Sequence, residues 1–358
     1  MSQIVPTTMR AAVYRGVNDV RVETVGVPEI GAGEVLVKIH TCGICGTDLK
    51  KIHTGSHDAP RVFGHEMAGT IVQVGDGVEG FAVGDRVMAY HHIPCGDCYY
   101  CRKQTFAQCE VYKKVGCTAG FAPSGGGFAE YIRVMDWIVQ RGLVKVPDEI
   151  PFEQAAFLEP VNTCYKAIQL LDLKSDETVL VIGQGPIGIL LAALARRTRA
   201  TVLTSDLYAE RHAVAAKFGL DRPLDARSDV VAEAKAATEG RGADVALVAV
   251  GSDALIKVAM EAIRPGGRVM LFASTQHDEA PFDPAAVCMD EKTLMGSYSA
   301  SVAIQDDVTR LVFDGYRNGF DLTNLISHRF SLEDAVAAID LASHPQADSM
   351  KIVIQPGS

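Results

Sequence analysis

The sequence has 358 residues, of which 48% are hydrophobic and 22% are charged, a balance typical of a folded chain of about two domains. Its 44 acidic residues outnumber its 34 lysines and arginines, which gives a formal net charge of -10 and a pI near 5.5. Nucleic acids and anionic membranes bind concentrated basic surfaces, so we expect neither as a partner.

The N-terminal stretch is not typical of an exported protein. Pro6 and charged residues stand where a signal peptide would need an uninterrupted apolar core. No later run approaches the ~20 apolar residues of a membrane-spanning helix. These features predict a cytoplasmic protein.

Short stretches of alternating apolar and polar residues dominate the chain up to about residue 148. Strands are predicted over 34–40, 67–74 and 85–90. Four glycines mark the turns between the last two of these strands: Gly75, Gly77, Gly80 and Gly84. This turn-rich composition predicts a small, largely antiparallel barrel with long loops.

Four cysteines in this segment follow the spacing C-x2-C-x2-C-x7-C: Cys95, Cys98, Cys101 and Cys109. One short loop with this spacing can wrap four thiolates around a tetrahedral zinc ion at ~2.3 Å, and such closed coordination makes the site structural. A disulfide framework is the alternative. The spacing favours zinc, because the other five cysteines are scattered and no export signal precedes them.

A second pattern begins near residue 151, where a helical run over 151–171 leads into a continuous β-branched strand over 178–182. Apolar runs then alternate with helical stretches. Strands are predicted over 201–204, 245–250 and 268–272, and helices over 209–218 and 252–263. The alternation predicts right-handed crossovers and a doubly wound parallel sheet.

The strand over 178–182 runs into a G-x-G-x-x-G turn that opens an apolar helix. The turn residues expected to bind a cofactor are Gly183, Gly185, Pro186, Ile187 and Gly188. The glycines let the backbone approach a pyrophosphate, whose charge the helix N-terminus favours. The motif therefore predicts a dinucleotide site, with a purely structural glycine-rich turn as the alternative.

The next strand ends at Asp206, 18 residues beyond Gly188. A carboxylate there accepts hydrogen bonds from both adenosine ribose hydroxyls and repels a 2′-phosphate. The position therefore predicts NAD rather than NADP. Arg211, one helical turn further on, is either a contact of the ribose or adenine or an ordinary surface arginine.

Beyond about residue 301, helices are predicted over 306–318 and from Ser331, where Asp334 stands in a capping-box-like position. A closing strand is predicted over 351–354. A strand near Val302 is a candidate for pairing across a subunit interface.

These motifs resemble the zinc-dependent medium-chain dehydrogenase family, and within it the polyol branch similar to sorbitol dehydrogenase. The matching segments lie in family order along nearly the whole chain: CGICGTD, Gly64-His65-Glu66, the spaced cysteines, Glu159-Pro160 and GQGPIG. The resemblance implies an α/β protein with two domains. Residues 1–160 and 301–358 would form a GroES-like β-barrel catalytic domain, and residues 161–300 a Rossmann domain with a doubly wound parallel sheet.

The resemblance also implies a second, catalytic zinc ion. By this likeness Cys45, His65 and a carboxylate hold the ion, and Glu66 and Glu159 are rival ligands. Such a mixed site keeps a position open for water or substrate. We expect Asp48 to orient the loop or the ligands rather than to transfer protons.

Three further residues take roles from the same likeness. Thr47 matches the hydroxyl residue that bonds the substrate oxygen, and Thr163 matches a position beside the nicotinamide. Lys50 stands where many members have the histidine of a proton relay, which is a departure from the family pattern. Lys50 either relays a proton or contacts a phosphate or ribose of the cofactor. We expect His53 to be structural.

The resulting hypothesis is an NAD-dependent zinc alcohol dehydrogenase with two Zn²⁺ ions per chain. It would oxidise a secondary hydroxyl of a polyol, cyclitol or sugar to a ketone by hydride transfer. The alternatives are a threonine or simple secondary-alcohol dehydrogenase of the same family, and a non-catalytic NAD-binding protein. The family commonly forms homo-dimers or homo-tetramers, which we expect here too.

Overall fold

The computed structural model describes residues 5–112, 114–273 and 283–357. The chain divides into two compact units. The first is formed by Met1–Glu159 together with Ser301–Ser358, and the second by Pro160–Ala300. The first unit is therefore built from two chain segments that are separated in sequence by the whole of the second.

The strands of the described residues are β1 (Thr8–Gly16), β2 (Asp19–Gly26), β3 (Val35–Gly43), β4 (Arg61–Val62), β5 (Glu66–Val74), β6 (Arg86–Ala89), β7 (Cys117–Thr118), β8 (Tyr131–Val134), β9 (Leu143–Lys145), β10 (Thr178–Ile182), β11 (Thr201–Asp206), β12 (Pro223–Asp225), β13 (Ala243–Val248), β14 (Ile263–Leu271), β15 (Thr293–Gly296), β16 (Ile326–Ser331) and β17 (Lys351–Gln355).

The α-helices of the same residues are α1 (Gly46–Thr54), α2 (Tyr99–Arg102), α3 (Asp136–Arg141), α4 (Phe152–Ala156), α5 (Leu158–Leu171), α6 (Pro186–Arg196), α7 (Ala209–Ala216), α8 (Val230–Ala236), α9 (Asp253–Ala262), α10 (Pro284–Cys288), α11 (Gln305–Arg317) and α12 (Ala335–Ser343). Three short 3₁₀ helices complete the described elements: Phe106–Gln108, Val302–Ile304 and Leu322–Leu325.

Strand β3 lies at the centre of the first unit. It pairs antiparallel with β5 on one side and with β8 and β17 on the other, within a sheet of order β16-β17-β3-β5-β6-β9. Only β16 and β17 pair parallel in the described part of this sheet, so the largely antiparallel prediction is confirmed. A smaller sheet has the order β2-β1-β4. Strand β17 brings the late part of the chain beside β3, with Val353 opposite Gly43.

The second unit holds a parallel sheet of order β12-β11-β10-β13-β14-β15 among the described residues. Its central strand β10 is apolar because both faces are covered, and Val179, Leu180 and Val181 are fully buried. The strand order is that of a doubly wound sheet, which confirms the predicted fold. Ligands of such sheets bind beyond the carboxyl ends of the strands. In this unit that position lies beyond the ends of β10 and β11.

The helix predicted to begin at Ser331 begins instead at Ala335. Ser331 ends strand β16, which the sequence did not predict, and pairs with Gln355. Its hydroxyl donates to Asp334 Oδ2 at 2.7 Å and accepts from the Asp334 backbone amide at 3.3 Å. The serine therefore forms a turn that leads into the helix, because Ser and Asp favour such local bonds.

One smaller expectation was also wrong. Residues Val302–Ile304 form a 3₁₀ helix, not a strand, which Ser301 caps with its hydroxyl. Among the cysteines outside the two ligand groups, Cys42, Cys117 and Cys164 are buried, whereas Cys288 is exposed at the end of α10.

No helix in the described ranges combines the length and the apolar character needed to cross a bilayer.

Candidate metal and dinucleotide sites

The four spaced cysteines converge in the first unit. Their sulfurs lie within 4.8 Å of one another, with Cys95 Sγ 3.8 Å and Cys98 Sγ 3.6 Å from Cys101 Sγ. A tetrahedron with ~2.3 Å zinc–sulfur bonds has edges of about 3.8 Å, so the separations fit one zinc ion. All four cysteines are free thiols, and no disulfide competes. The group fits a closed, structural zinc site.

Backbone amides prepare this loop for anionic sulfur. The Cys98 amide donates to Cys95 Sγ and the Cys95 amide donates to Cys109 Sγ, both at 3.3 Å. Amides of the loop lower the pKa of Cys95 and lower the pKa of Cys98 to about 6. Desolvation raises the pKa of Cys101 to about 12, so this thiol gives up its proton only when a cation binds.

A second group of potential ligands joins Cys45, His65 and Glu66, whose donor atoms also lie within 4.8 Å of one another. Cys45 is the N-cap of α1, while His65 and Glu66 stand at the start of β5. His65 and Glu66 are 4% and 2% exposed. One thiol, one imidazole and one carboxylate fit an open zinc site with a position left for a further ligand.

Asp48 orients this group. Its Oδ1 accepts from His65 Nδ1 at 3.0 Å and from the Gly64 amide at 3.3 Å, and its Oδ2 accepts from the Cys45 amide at 3.2 Å. The imidazole therefore keeps Nε2 available for a metal, as in carboxylate–histidine–metal triads. This is the orienting position predicted for Asp48.

Opposite charges hold the pair ionised in a buried setting. Burial works to raise the pKa of Asp48, but His65, together with Lys51 and the Cys45 amide, outweighs burial and lowers that pKa below its usual range. Burial works to lower the pKa of His65, whereas Asp48 and Cys45 outweigh it and raise that pKa well above its usual range. Metal binding must therefore displace a proton from this site.

A buried lysine completes the surroundings, and the sequence did not predict it. Lys351 Nζ pairs with Glu66 Oε2 and donates to the Ile44 carbonyl at 3.0 Å. Burial works to lower the pKa of Lys351, but Glu66 and Cys45 outweigh it and raise that pKa. The one sign of this lysine's role in the sequence was a charged residue at the start of the otherwise apolar segment KIVI, residues 351–354.

Glu159 lies in the first turn of α5 and is 6% exposed. Burial raises its pKa to about 7, an effect that His65 opposes and Glu66 reinforces. Among the described residues, the compact group of possible ligands contains Glu66 and not Glu159. The Glu66 carboxylate therefore lies within the compact group with Cys45 and His65.

Helix α1 carries three further residues that the sequence analysis discussed. Thr47 lies in the first turn of α1, where its amide donates to Cys45 Sγ at 3.5 Å, and Lys50 is half-buried one turn later. His53 bonds Asn18 Oδ1 at 2.6 Å and Ser343 Oγ at 2.9 Å, which is the structural role expected of it. The ring of His91 lies 4.6 Å from that of His65, so His91 packs against one of the candidate ligands.

In the second unit the glycine-rich turn joins β10 to α6. Gly183 has φ +97°, a conformation that side-chain-bearing residues rarely adopt. Gly185 is the N-cap of α6 and Pro186 takes its first position, while Ile187 accepts a weak bond from Cys164 Sγ at 4.0 Å. The first amides of this 11-residue helix remain as donors for an anion.

The neighbouring backbone leaves no room for a side chain at Gly188. A Cβ there would lie 1.8 Å from the Gly183 carbonyl oxygen, so helix and turn would have to separate. We expect Gly188→Ala to lower the free energy of unfolding by about 1–3 kcal/mol. It should also weaken NADH binding, measured by nucleotide fluorescence alongside denaturant unfolding.

The matched variant is Gly185→Ala, because a Cβ at Gly185 meets nothing within 4 Å. This variant should keep its folding stability and still weaken NADH binding, since the added methyl group would obstruct the approach of a pyrophosphate. Equal stability of the two variants would contradict the role assigned to Gly188.

Asp206 ends β11, and the turn itself holds its carboxylate. Oδ2 accepts from the Gln184 amide at 2.7 Å and Oδ1 from the Tyr208 amide at 3.0 Å. Arg211 Nη1 lies 3.4 Å from Oδ2, so Arg211 is partly buried against the acid and is not a free surface arginine. The remaining acceptor capacity of the carboxylate is shared between Arg211 and any ligand that binds there.

Gln184 was not singled out in the sequence because it occupies a variable position of the motif. Its side chain donates to Thr204 Oγ1 at 2.6 Å and bonds His212 Nδ1 at 3.1 Å. It thereby ties the turn to β11 and α7. Thr163, the other residue predicted to contact a cofactor, is half-buried on α5 within the second unit.

Two protein-family profiles match the chain. "Alcohol dehydrogenase GroES-like domain" matches residues 31–148, and "Zinc-binding dehydrogenase" matches residues 186–314. A sorbitol dehydrogenase from Bombyx mori is 32% identical over 96% of this chain and 97% of its own length. The chain belongs to the zinc-dependent medium-chain dehydrogenase family.

Other relatives of this dehydrogenase point the same way. L-threonine 3-dehydrogenase from Pyrococcus horikoshii is 37% identical over 69% of this chain and 70% of its own. The crystal structure of a putative zinc-binding dehydrogenase from Sinorhizobium meliloti, bound to NADP, has a TM-score of 0.86 and 30% identity, and the match covers 98% of this chain and 100% of that one. The predicted family, its polyol branch and the two-part fold are confirmed, and the dehydrogenase is a zinc-type alcohol or polyol oxidoreductase.

Proposed function

We propose that the protein oxidises a secondary hydroxyl of a polyol, cyclitol or sugar to a ketone, with NAD as hydride acceptor and two zinc ions per chain. The observation that carries this proposal is the open group of Cys45, His65 and Glu66, which stands apart from the closed four-cysteine group. An open mixed site suits catalysis and a closed sulfur site suits structure. The relationship to sorbitol dehydrogenase supports the polyol substrate.

In this proposal the first unit carries the metal chemistry and the second unit binds the cofactor. Cys45 and His65, with Glu66 or Glu159 as the carboxylate, would hold the catalytic zinc. A zinc ion bound there supplies Lewis acidity for the removal of the proton from the substrate hydroxyl. Asp48 keeps His65 in the tautomer that can bind the ion.

The remaining assignments concern the substrate and the proton. The Thr47 hydroxyl would bond the substrate oxygen, and its place in the first turn of α1 beside Cys45 supports this role. Lys50, one turn further along α1, would accept the proton or contact the cofactor. Thr163 would lie beside the nicotinamide, and the glycine-rich turn would hold the pyrophosphate.

The choice of NAD over NADP rests on Asp206, which is 6% exposed and fixed by two backbone amides. A fixed buried carboxylate would repel a 2′-phosphate and accept bonds from a ribose diol. Asp206→Ala should therefore lower the ratio of kcat/KM with NAD to that with NADP by about 10–100-fold, the value of one or two charged hydrogen bonds. Steady-state kinetics with both cofactors measure the ratio.

Asp225→Ala is the matched control, because Asp225 pairs with Asp206 in register on the neighbouring strand β12 and is exposed. That variant should leave the ratio unchanged. An unchanged ratio in Asp206→Ala, or a wild-type protein that uses NADP alone, would remove the argument for NAD.

L-Threonine is a second candidate substrate, because the threonine dehydrogenase relative is 37% identical, although over a shorter span. A screen of NADH formation across polyols, cyclitols, sugars, L-threonine and simple secondary alcohols separates the candidates. Cys45→Ser serves as the blank. Turnover of a polyol, cyclitol or sugar supports the proposal. Turnover of threonine alone would instead make the protein a threonine dehydrogenase. A chain with one zinc ion and no turnover would be a non-catalytic NAD-binding protein.

A further inference from the structure

Lys351 lies beside the group of candidate ligands that contains Cys45 and Glu66. The proposed mechanism assigns this lysine no role. It is the first residue of β17 and is 7% exposed. Its ammonium group reaches both parts of the ligand group, because it pairs with Glu66 and donates to the carbonyl of Ile44, the residue before Cys45. One side chain thus links the loop that carries Cys45 to the carboxylate that follows His65.

A glycine in the neighbouring backbone leaves room for the contact between Lys351 and Glu66. A Cβ on Gly43 would lie 2.2 Å from Glu66 Oε2 and 2.7 Å from Lys351 Cε. Gly43 is also the residue of β3 that pairs with Val353 of β17. Its missing side chain provides the space in which the carboxylate and the lysine meet.

The stability of the fold alone does not explain the buried ion pair of Lys351 and Glu66. Desolvation of two buried charges offsets most of their attraction, and apolar replacements of buried ion pairs are often neutral or stabilising. A buried lysine that bonds two segments of a ligand group is better explained by what it positions. Partners of metal ligands commonly act in this way, since they fix the orientation of the ligand.

We propose that Lys351 is a positioning residue of the catalytic metal centre, which holds the Glu66 carboxylate by one oxygen and the Cys45 loop by the Ile44 carbonyl. The inference rests on the proposed function, because it concerns the catalytic metal. With Lys351 in place, the ligand group is assembled before the ion arrives and less ordering is needed on binding. The carboxylate keeps its other oxygen for the metal, which favours Glu66 over Glu159 as the ligand.

The test is the affinity of the open site for metal, measured without any turnover. Wild-type protein and Lys351→Met are stripped of metal and titrated with Co²⁺ and Zn²⁺ against a competing chelator, with the cobalt absorption spectrum recorded. We expect Lys351→Met to weaken binding at the open site by about 10–100-fold and to alter the cobalt spectrum. The four-cysteine site should fill as in the wild type.

Two variants serve as controls. Lys351→Arg keeps a cation that can pair with the carboxylate and should restore most of the affinity. Lys292→Met removes another buried lysine, which is 9% exposed and bonds the Met260 carbonyl at 2.9 Å in the second unit. This variant should leave both metal sites unchanged, so it accounts for any general effect of losing a buried lysine.

A third variant tests the geometry without removing a polar group. Gly43→Ala should displace the carboxylate and the lysine and weaken metal binding in the same direction, which keeps the proposal testable if Lys351→Met fails to fold. Unchanged affinity and spectrum in folded Lys351→Met would overturn the inference. Tighter binding would also overturn it, because the lysine would then act only by repelling the ion.

Failure of this inference differs from failure of the proposed function. A wild-type chain that binds a single metal ion would refute the proposed function itself. A wild-type chain that binds two ions, with Lys351→Met binding them equally well, would refute only the positioning role.

Discussion

Cys45→Ser should lower kcat/KM by at least about a thousandfold, because the Lewis acid that Cys45 helps to hold is worth several kcal/mol and each 1.36 kcal/mol is a factor of ten. Serine is a good N-cap residue, so helix α1 should persist and the loss should not reflect unfolding. Metal content should fall from two ions per chain to one. Kinetics on the best substrate and elemental analysis measure the two effects.

The control for this substitution is Cys288→Ser, which makes the same chemical change at an exposed position in the second unit. We expect it to retain full activity and both ions. Undiminished turnover by Cys45→Ser would exclude Cys45 from the mechanism, and two ions in that variant would exclude it as a ligand.

Cys101→Ser should remove the other ion. Cys101 is 5% exposed and its sulfur contacts two of the remaining three in the group. Structural zinc sites bind with about 10–16 kcal/mol shared over four ligands, so losing one should weaken binding by about 3 kcal/mol, or a hundredfold or more. Metal analysis after dialysis gives the stoichiometry, and limited proteolysis should find new cleavage between residues 95 and 112.

Cys117→Ser is the comparison, because Cys117 is fully buried in the same unit and lies outside both ligand groups. It should retain two ions and the proteolytic pattern of the wild type. A Cys101→Ser protein that retains two ions would refute the four-sulfur site.

Patterns that lie close together in sequence revealed most of what could be predicted. The four cysteines span 15 positions, from Cys95 to Cys109, and their spacing alone described the closed group. The strand, glycine turn and acid from residue 178 to Asp206 likewise predicted the topology of the second unit, because parallel strands buried on both faces have a distinct composition. The predicted and observed bounds agreed where the apolar run was continuous and sharply delimited, as at Thr178–Ile182.

Contacts between distant parts of the chain could not be predicted in this way. Lys351 lies 307 positions from Ile44, and only strand pairing brings them together. Gln184 was missed because its role comes from partners on β11 and α7 and not from the motif. Ser331 was misread because the same local bonds of Ser and Asp cap helices and close turns.

The position of β17 beside β3 has a consequence for biosynthesis. The cysteines of the closed group leave the ribosome together, so that loop can capture an ion while most of the chain is still untranslated. The open group gains its lysine only after residue 351 has been made and β17 has docked against Gly43. If Lys351 has the positioning role proposed above, the open group is therefore complete only after this last strand has been made.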